Sequence, residues 1–408
     1  MTRQTQKRVV PATIDEVSRI VAHCDRAGEK VCIVGGETLT GMGFPPERAD
    51  VTLVTTGLSG IVTNERADLT IAVRAGTPIQ SLAMLLANQG QFVPFDAPAP
   101  QYATLGGTLA AGWLGPRRHL YGRLRDYLIG STIVLADGTI ARAGGMVVKN
   151  VAGYDMTRLY VGSFGTLGVL VEANLKTIPL PSSTRLFLAP LPEGTRERAC
   201  ARLAALGTVP AAAFWIDGFH HAVDGDEGPE GRIVVLYDGS DAFLERATLE
   251  LRSALGRAGV PDTRVIDAGA REAFERVVDA YIACLGERSV TYRILRFPQE
   301  SGSCAQAVRD LARHFELRSE TIVDVMNGDV LLRVSDLDAH AFGAKIETFD
   351  DKLHELEPKA RVIASEHPFR GNLQVWGAPP PAIDRMRALR TRFDPHRTLN
   401  PGRFVEGI

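Results

Sequence analysis

The stretch from Lys149 to Gly168, KNVAGYDMTRLYVGSFGTLG, constrains this chain more than any other. It places Gly153, Gly162, Gly165 and Gly168 between an apolar strand candidate and the apolar run VLVEANLKTI. Glycine loses more conformational freedom on folding than any other residue. Such density therefore marks a place where backbone amides approach a bulky ligand or turn through positive φ. The stretch reads as part of a binding site.

Two earlier segments have the same character. VGGETLTG, Val34 to Gly41, follows a short strand, KVCIVGG, so the amides of Gly35, Gly36, Thr38 and Leu39 form a candidate nest for a pyrophosphate, with the Thr38 and Thr40 hydroxyls as added donors. It matches neither GxGxxG nor GxxxxGK[ST], which argues against a dinucleotide site of the Rossmann type and against a P-loop. A glycine pair after a strand also serves as an ordinary turn. A carboxylate beside a pyrophosphate repels it, so Glu37 is expected to face outward or toward a ribose. ATLGGTLAAG, Ala103 to Gly112, combines Thr104 and Thr108 with Gly106, Gly107 and Gly112. Its alternative is a helix start capped by one of those threonines in a tight core.

Taken together, the three segments resemble the flavin-binding domain of the FAD-linked oxidases related to vanillyl-alcohol oxidase and p-cresol methylhydroxylase. Within that superfamily the resemblance is closest to the FAD-binding subunit of bacterial glycolate oxidase, through VVKNVAGYDMTRLYVGSFGTLGVLVEANLKTIPLP, with an echo in FDPHRTLNPGRF. The resemblance implies an α+β fold: a two-part FAD-binding domain of the p-cresol methylhydroxylase type (residues 1–181 and a returning segment 380–408) and an antiparallel-sheet cap (182–379). It assigns to noncovalently held FAD the residues Val34, Gly35, Gly36, Glu37, Thr38, Leu39 and Thr40, then Pro94 and Asp96. It adds Thr104, Leu105, Gly106, Gly107, Thr108, Ala110, Ala111 and Gly112, with Arg123 and Asp126. The last group is Lys149, Asn150, Gly153, Tyr154, Asp155, Gly165, Thr166, Leu167, Gly168 and Val169. Tyr154 also reads as a core residue, and Asp155 and Arg158 as a local helical ion pair.

Composition narrows the functional classes. With 408 residues, 45 % apolar and 23 % charged, the chain suits two or three globular domains. A formal net charge of -2 gives no field for nucleic acid or anionic lipid, and no run of about 18 apolar residues predicts a membrane span. Cys24, Cys32, Cys200, Cys284 and Cys304 are scattered without CxxC spacing, so they suggest a reducing compartment and neither an iron-sulfur cluster nor another metal site. The expected location is cytoplasmic, with attachment to the inner membrane through partners.

Periodicity sets the order of elements. A capping box at Thr13 and Glu16 opens a helix ended by Gly28, Pro78 opens another before Ala87, and Asp137-Gly138 marks a hairpin turn. After the prolines at 179 and 181, two series of strand, helix, strand, strand and helix follow each other, an echo of order without identity of letters. An amphipathic helix and the turn residues Asn400, Pro401 and Gly402 close the chain. Arg117, Arg118, His119, Arg123 and Arg125 form the densest basic segment, read as an anion site, a partner-facing surface or a solvated loop.

Oxidation of a 2-hydroxy acid needs an arginine for the carboxylate and a base at the hydroxyl, beside the flavin. His367 and Arg370 in ASEHPFRGN are the candidates, although a histidine before proline also serves structural roles. His220 and His221 stand in a glycine-rich acidic turn that reads as an exposed loop. The resemblance implies a small 2-hydroxy acid substrate, glycolate above all, and two partners, a homologous flavoprotein subunit and an iron-sulfur subunit. A self-sufficient FAD oxidase or dehydrogenase and a non-catalytic FAD-holding subunit are the alternatives.

Overall fold

Thr13 starts the first helix as its sequence requires. Its hydroxyl accepts from the Glu16 amide, its own amide donates to the Glu16 carboxylate, and α1 (Ile14–Ala27) runs to Gly28. The computed structural model describes residues 7–146, 155–219, 231–260, 263–283, 286–366 and 370–408. The chain folds as two units. One holds Met1–Leu114, Arg123–Leu180 and Pro379–Ile408; the other holds Gly115–Gly122 and Pro181–Ala378.

In the first unit β1 (Lys7–Val9), β2 (Val31–Val34) and β3 (Val51–Val54) form a parallel sheet in the order β1-β3-β2. Next along the chain come β4 (Ile61–Glu65), β5 (Thr70–Arg74), the short β6 (Gln91–Phe92), β7 (Leu128–Val134), β8 (Ile140–Gly144), β9 (Val169–Lys176) and the short β10 (Ile178–Pro179). They make an antiparallel sheet, β4-β5-β9-β7-β8, and a two-stranded ladder of β6 with β10. The β7–β8 hairpin turns at Asp137-Gly138. Between strands lie α2 (Ile79–Ala87), α3 (Leu105–Ala111), α4 (Arg118–Tyr121), which belongs to the second unit, and α5 (Met156–Leu159). The apolar stripe of α1, Val17, Val21 and Cys24, is buried against Val31, Leu53, Val134 and Val171, so burial rather than propensity holds that helix in place.

The second unit turns the echo of order into a symmetric sheet. One half runs β11 (Ser183–Leu191), α6 (Arg196–Ala204), β12 (Ala212–Asp217), β13 (Gly231–Gly239), α7 (Asp241–Ala258) and β14 (Arg264–Ile266). After α8 (Ala270–Ala280) comes β15 (Ser289–Leu295), α9 (Ser301–His314), β16 (Arg318–Asp324), β17 (Asp329–Ser335), α10 (Ala339–Leu356) and β18 (Arg361–Ser365). The eight strands lie in the order β14-β11-β13-β12-β16-β17-β15-β18. Read from either edge inward, each half places its fourth strand first, then its first, third and second. The halves meet where β12 pairs antiparallel with β16. The chain then returns to the first unit through α11 (Ile383–Phe393) and a parallel bridge of Leu399 to Val31. Among the described residues no helix is long and apolar enough to cross a membrane.

Within the second unit the basic segment is tied to carboxylates. Arg118 Nη2 lies 2.6 Å from Asp329 Oδ1, Arg117 Nη1 lies 3.4 Å from Asp238 Oδ2, and Arg293 also pairs with Asp329. Asp324 is fully buried beside them. Its Oδ1 accepts from the Met326 and Asn327 amides, and the Asn327 side chain donates to its Oδ2 and to Pro116 O. Burial first, then Asp329, pushes the Asp324 carboxyl up to about 7, against the pull of Arg118 and Asn327. A folded-state pKa above the unfolded one makes the native state bind more protons, so this group's contribution to stability is lost as pH rises from about 4 to about 7. Asp324→Asn should therefore show a Tm that falls less than wild type between pH 5 and pH 8 in a thermal-shift series. Parallel curves for the two proteins would refute this origin.

Candidate functional site

The site begins where β2 runs out into paired glycines. A Cβ on Gly35 would stand 2.1 Å from Thr104 Oγ1, and one on Gly36 would stand 1.6 Å from Tyr102 O, so this loop lies directly on the start of α3 and admits no side chain. Thr104 caps α3 by accepting from the Gly107 amide at 3.2 Å, and Thr108 Oγ1 donates to Thr104 O at 2.9 Å. The Gly106 amide donates to Ala75 O at 2.7 Å, which draws the helix onto β5. Capping and site-forming are thus the same geometry here. Glu37 takes a left-handed conformation, φ 61, and its half-exposed side chain turns outward to an ion pair with Arg8.

The third wall is held by the C-terminal tail. Asn400 Oδ1 accepts from the Ile33 amide at 2.8 Å, and its Nδ2 donates to Phe164 O at 2.6 Å. Arg390, nearly fully buried, donates to Thr166 O and Leu399 O and pairs with Asp394, which accepts from the Thr398 and Leu399 amides. Arg403 donates to Met42 O at 2.9 Å, with its guanidinium carbon 5.9 Å from the Phe164 ring centroid. Burial lowers the pKa of Arg403, with Cys32 opposing. It raises that of the Cys32 thiol, with Arg403 opposing.

These elements enclose a cleft that opens to solvent. Of the sequence candidates it gathers Val34, Gly35, Gly36, Glu37, Thr38, Leu39, Thr40, Thr104, Gly106, Gly107, Thr108, Ala110, Ala111, Gly165 and Gly168. Others stand elsewhere. Pro94 is buried, Asp96 O accepts from the Trp113 indole at 2.7 Å, Leu105, Leu167 and Val169 are core, and Gly112 ends α3. Thr166 Oγ1 donates to Ser163 O, exposed Arg123 gives its amide to Asp126, and Asp155 caps α5 while pairing with Arg158 at 2.9 Å. Lys149, Asn150, Gly153, Tyr154, His367, His220 and His221 lie outside the described residues. Arg370 is described only as the first residue of a 3-10 turn, Arg370–Asn372.

The cleft also has walls that the sequence reading missed: Ile33, Thr55, Phe164, Leu170, Asn400 and Arg403. Asn400 and Arg403 carried a signal, since both stand in the turn NPGRF. Their role depends on backbone groups more than 200 residues away, which no local pattern reveals.

A cleft walled by glycine, alanine and threonine, whose loop at Gly35 and Gly36 packs on Thr104 and Tyr102 too closely for any Cβ, fits a flat ring system and a dinucleotide backbone. Comparison with known proteins agrees. Residues 5–155 match the family model described as an FAD binding domain. The solved structure of p-cresol methylhydroxylase with bound substrate shares the fold at a TM-score of 0.74, with 14 % identity over 97 % of this chain and 88 % of that one. The chain thus carries an FAD binding domain over residues 5–155 and shares the fold of p-cresol methylhydroxylase, and its cofactor is FAD.

In sequence the chain is similar to glycolate oxidase subunits and to 2-hydroxy acid dehydrogenases. It is 27 % identical to subunit GlcD of Bacillus subtilis over 97 % of this chain and 88 % of that protein. It is 44 % identical to subunit GlcE of Escherichia coli over 31 % of this chain and 36 % of that protein. A D-lactate dehydrogenase of Anaerostipes hadrus is 25 % identical over 97 % of this chain and 88 % of its own length.

Two substitutions test the construction of the cleft. Gly36→Ala forces the loop off Tyr102 and should lower the flavin-to-protein absorbance ratio of the purified chain at least tenfold; an unchanged ratio would refute the close approach. Asn400→Ala leaves the Ile33 amide and Phe164 carbonyl without this partner and should cost about 2 kcal/mol in a urea titration. A loss near zero would mean that the tail does not hold this wall.

Proposed function

We propose that this chain is the FAD-binding subunit of a multi-subunit glycolate oxidase, oxidising a small 2-hydroxy acid to the 2-oxo acid, glycolate to glyoxylate. The observation that carries this reading is the small-residue cleft gathered from three glycine segments, in a chain that aligns along nearly its whole length with a glycolate oxidase subunit. Bound FAD supplies the two-electron acceptor. The glycine cradle at Gly35 and Gly36, the amides through Leu39 and the walls at Ala110 and Ala111 hold it and keep water from its faces. His367 and Arg370 are assigned as the base at the substrate hydroxyl and the clamp on its carboxylate. Electrons leave for a homologous flavoprotein subunit and an iron-sulfur subunit, which also account for any attachment of this cytoplasmic chain to the inner membrane.

One observation favours a second reading, in which the chain holds FAD without turning over. Arg117 and Arg118 of the densest basic segment are already paired with aspartates, so they offer no ready clamp for a substrate carboxylate. An anaerobic absorbance spectrum of the single chain, before and after glycolate and D-lactate, separates the two. Bleaching of the oxidised flavin bands by glycolate is the expected result, and His367→Ala or Arg370→Ala should abolish it while flavin content stays unchanged. Bands that persist until the partner subunits are added would support the holding role and place turnover elsewhere.

A further inference from the structure

Arg361 carries a guanidinium for which the second unit supplies no counter-charge. It stands on the edge strand β18, directly opposite Arg293 on β15. Like charges facing each other across a ladder destabilise a sheet. Arg293 is paired with Asp329, and Arg333, on the neighbouring strand β17, is paired with Glu320. Among the described residues no carboxylate pairs with Arg361; its contact is the Trp376 ring, whose centroid lies 5.6 Å from the guanidinium carbon. Desolvation first, and then the like charge of Arg293, lower its pKa. The residue nonetheless stays open to solvent. A cation that is crowded, stacked and still reachable is one that an anion from solution can meet.

The same place is the base of the segment that carries the candidate substrate residues. β18 ends at Ser365, and His367 and Arg370 follow it in the sequence. The chain then comes back beside β18: the Val362 amide donates to Val375 O at 2.9 Å, and the Gln374 amide donates to the buried Asp350 carboxylate at 2.7 Å. Trp376, one residue past that return, stacks on the Arg361 guanidinium. A planar guanidinium grips both oxygens of a carboxylate, and a ring stacked on it fixes that plane in advance. We propose that Arg361 binds the carboxylate of the 2-hydroxy acid, sharing the clamp assigned to Arg370. The role rests on the reading of this chain as a 2-hydroxy acid oxidoreductase. It explains why an arginine is kept where, without a ligand, it only repels Arg293, and the bound carboxylate would offset that repulsion.

The test reads binding apart from turnover. The FAD-loaded chain is titrated with oxalate, which has no hydroxyl carbon to oxidise, with glycolate and with the uncharged glycolamide, followed by thermal shift; bleaching by glycolate is followed anaerobically. For the wild type, oxalate and glycolate should raise Tm and glycolamide should not. Arg361→Gln should weaken oxalate and glycolate about tenfold or more and leave flavin content unchanged. Its ligand-free Tm should stay level or rise, because the repulsion of Arg293 is gone. Arg361→Lys keeps the charge without the fork and should fall between; it decides the matter should Arg361→Gln not fold. Carboxylate affinity unchanged in both variants, or a flavin-loaded wild type that binds no carboxylate, would overturn the clamp and leave Arg361 a surface residue stacked on Trp376. A wild type that binds oxalate through Arg361 but is not bleached by glycolate would uphold the clamp and overturn turnover in this chain. Equal bleaching of the wild type and Arg361→Gln across a glycolate titration would do the reverse.

Discussion

The side chain of Asn400 joins three parts of the first unit that have no regular ladder between them. It accepts from the Ile33 amide at the end of β2 and donates to the Phe164 carbonyl in the glycine-rich segment, while its own amide donates to Val31 O. Buried backbone groups in irregular segments must find partners, and an amide side chain offers both a donor and an acceptor from one rigid plane. Arg390 extends the knot by donating to Thr166 O and Leu399 O, and Asp394 closes it on the Thr398 and Leu399 amides. Without these bonds the segment from Ser163 to Gly168 would present bare carbonyls to a cleft that has to stay open. The tail is thus a structural part of the cleft wall, although its partners lie more than 200 residues earlier in the chain.

What could be read in the sequence follows from how far each signal reaches. Helix α10, Ala339–Leu356, closes the second strand-helix series where the order of elements puts it, and the capping box at Thr13 and the turn at Asp137-Gly138 stand where local chemistry puts them. Each is decided within one or two turns of chain. The glycine segments are legible for the same reason, because the lack of a side chain is a local property. The basic stretch from Arg117 to Arg125 shows the limit. Locally it offers an anion site, yet Asp238 and Asp329, which engage Arg117 and Arg118, lie more than 100 residues away. Asn400 and Arg403 escaped notice as cleft residues for a related reason: a turn sequence shows that the chain bends, and not which distant backbone its side chains will reach.

The echo in the second unit lies between these cases. Order of elements is a local property repeated twice, so it is visible in the sequence, whereas the pairing of β12 with β16 that sets the halves face to face along one sheet is tertiary. Each half follows the split βαβ plan, in which the second and third strands form a hairpin or return beside the first. Joining two such halves through their second strands leaves the fourth strands, β14 and β18, at the edges. One eight-stranded sheet then needs only two edges to protect instead of the four that separate halves would expose.

Three of the ten non-glycine residues with positive φ among the described residues line the cleft. Glu37, Phe164 and Asn400 all hold positive φ, 61, 55 and 43, and all three line it. A non-glycine residue in that conformation costs about 1 kcal/mol or more, and it persists only where surrounding bonds over-determine it. Those bonds are present: Glu37 O accepts from Thr40 Oγ1, Phe164 O accepts from Asn400, and Asn400 is fixed at both ends of its amide. A glycine in each place would remove the strain, but it would also remove the ring that Arg403 lies against and the amide that ties the tail to β2. The fold therefore keeps glycine where Tyr102 and Thr104 leave no room for a Cβ, at Gly35 and Gly36, and accepts left-handed backbone at Phe164 and Asn400, where the side chain is what fixes the wall.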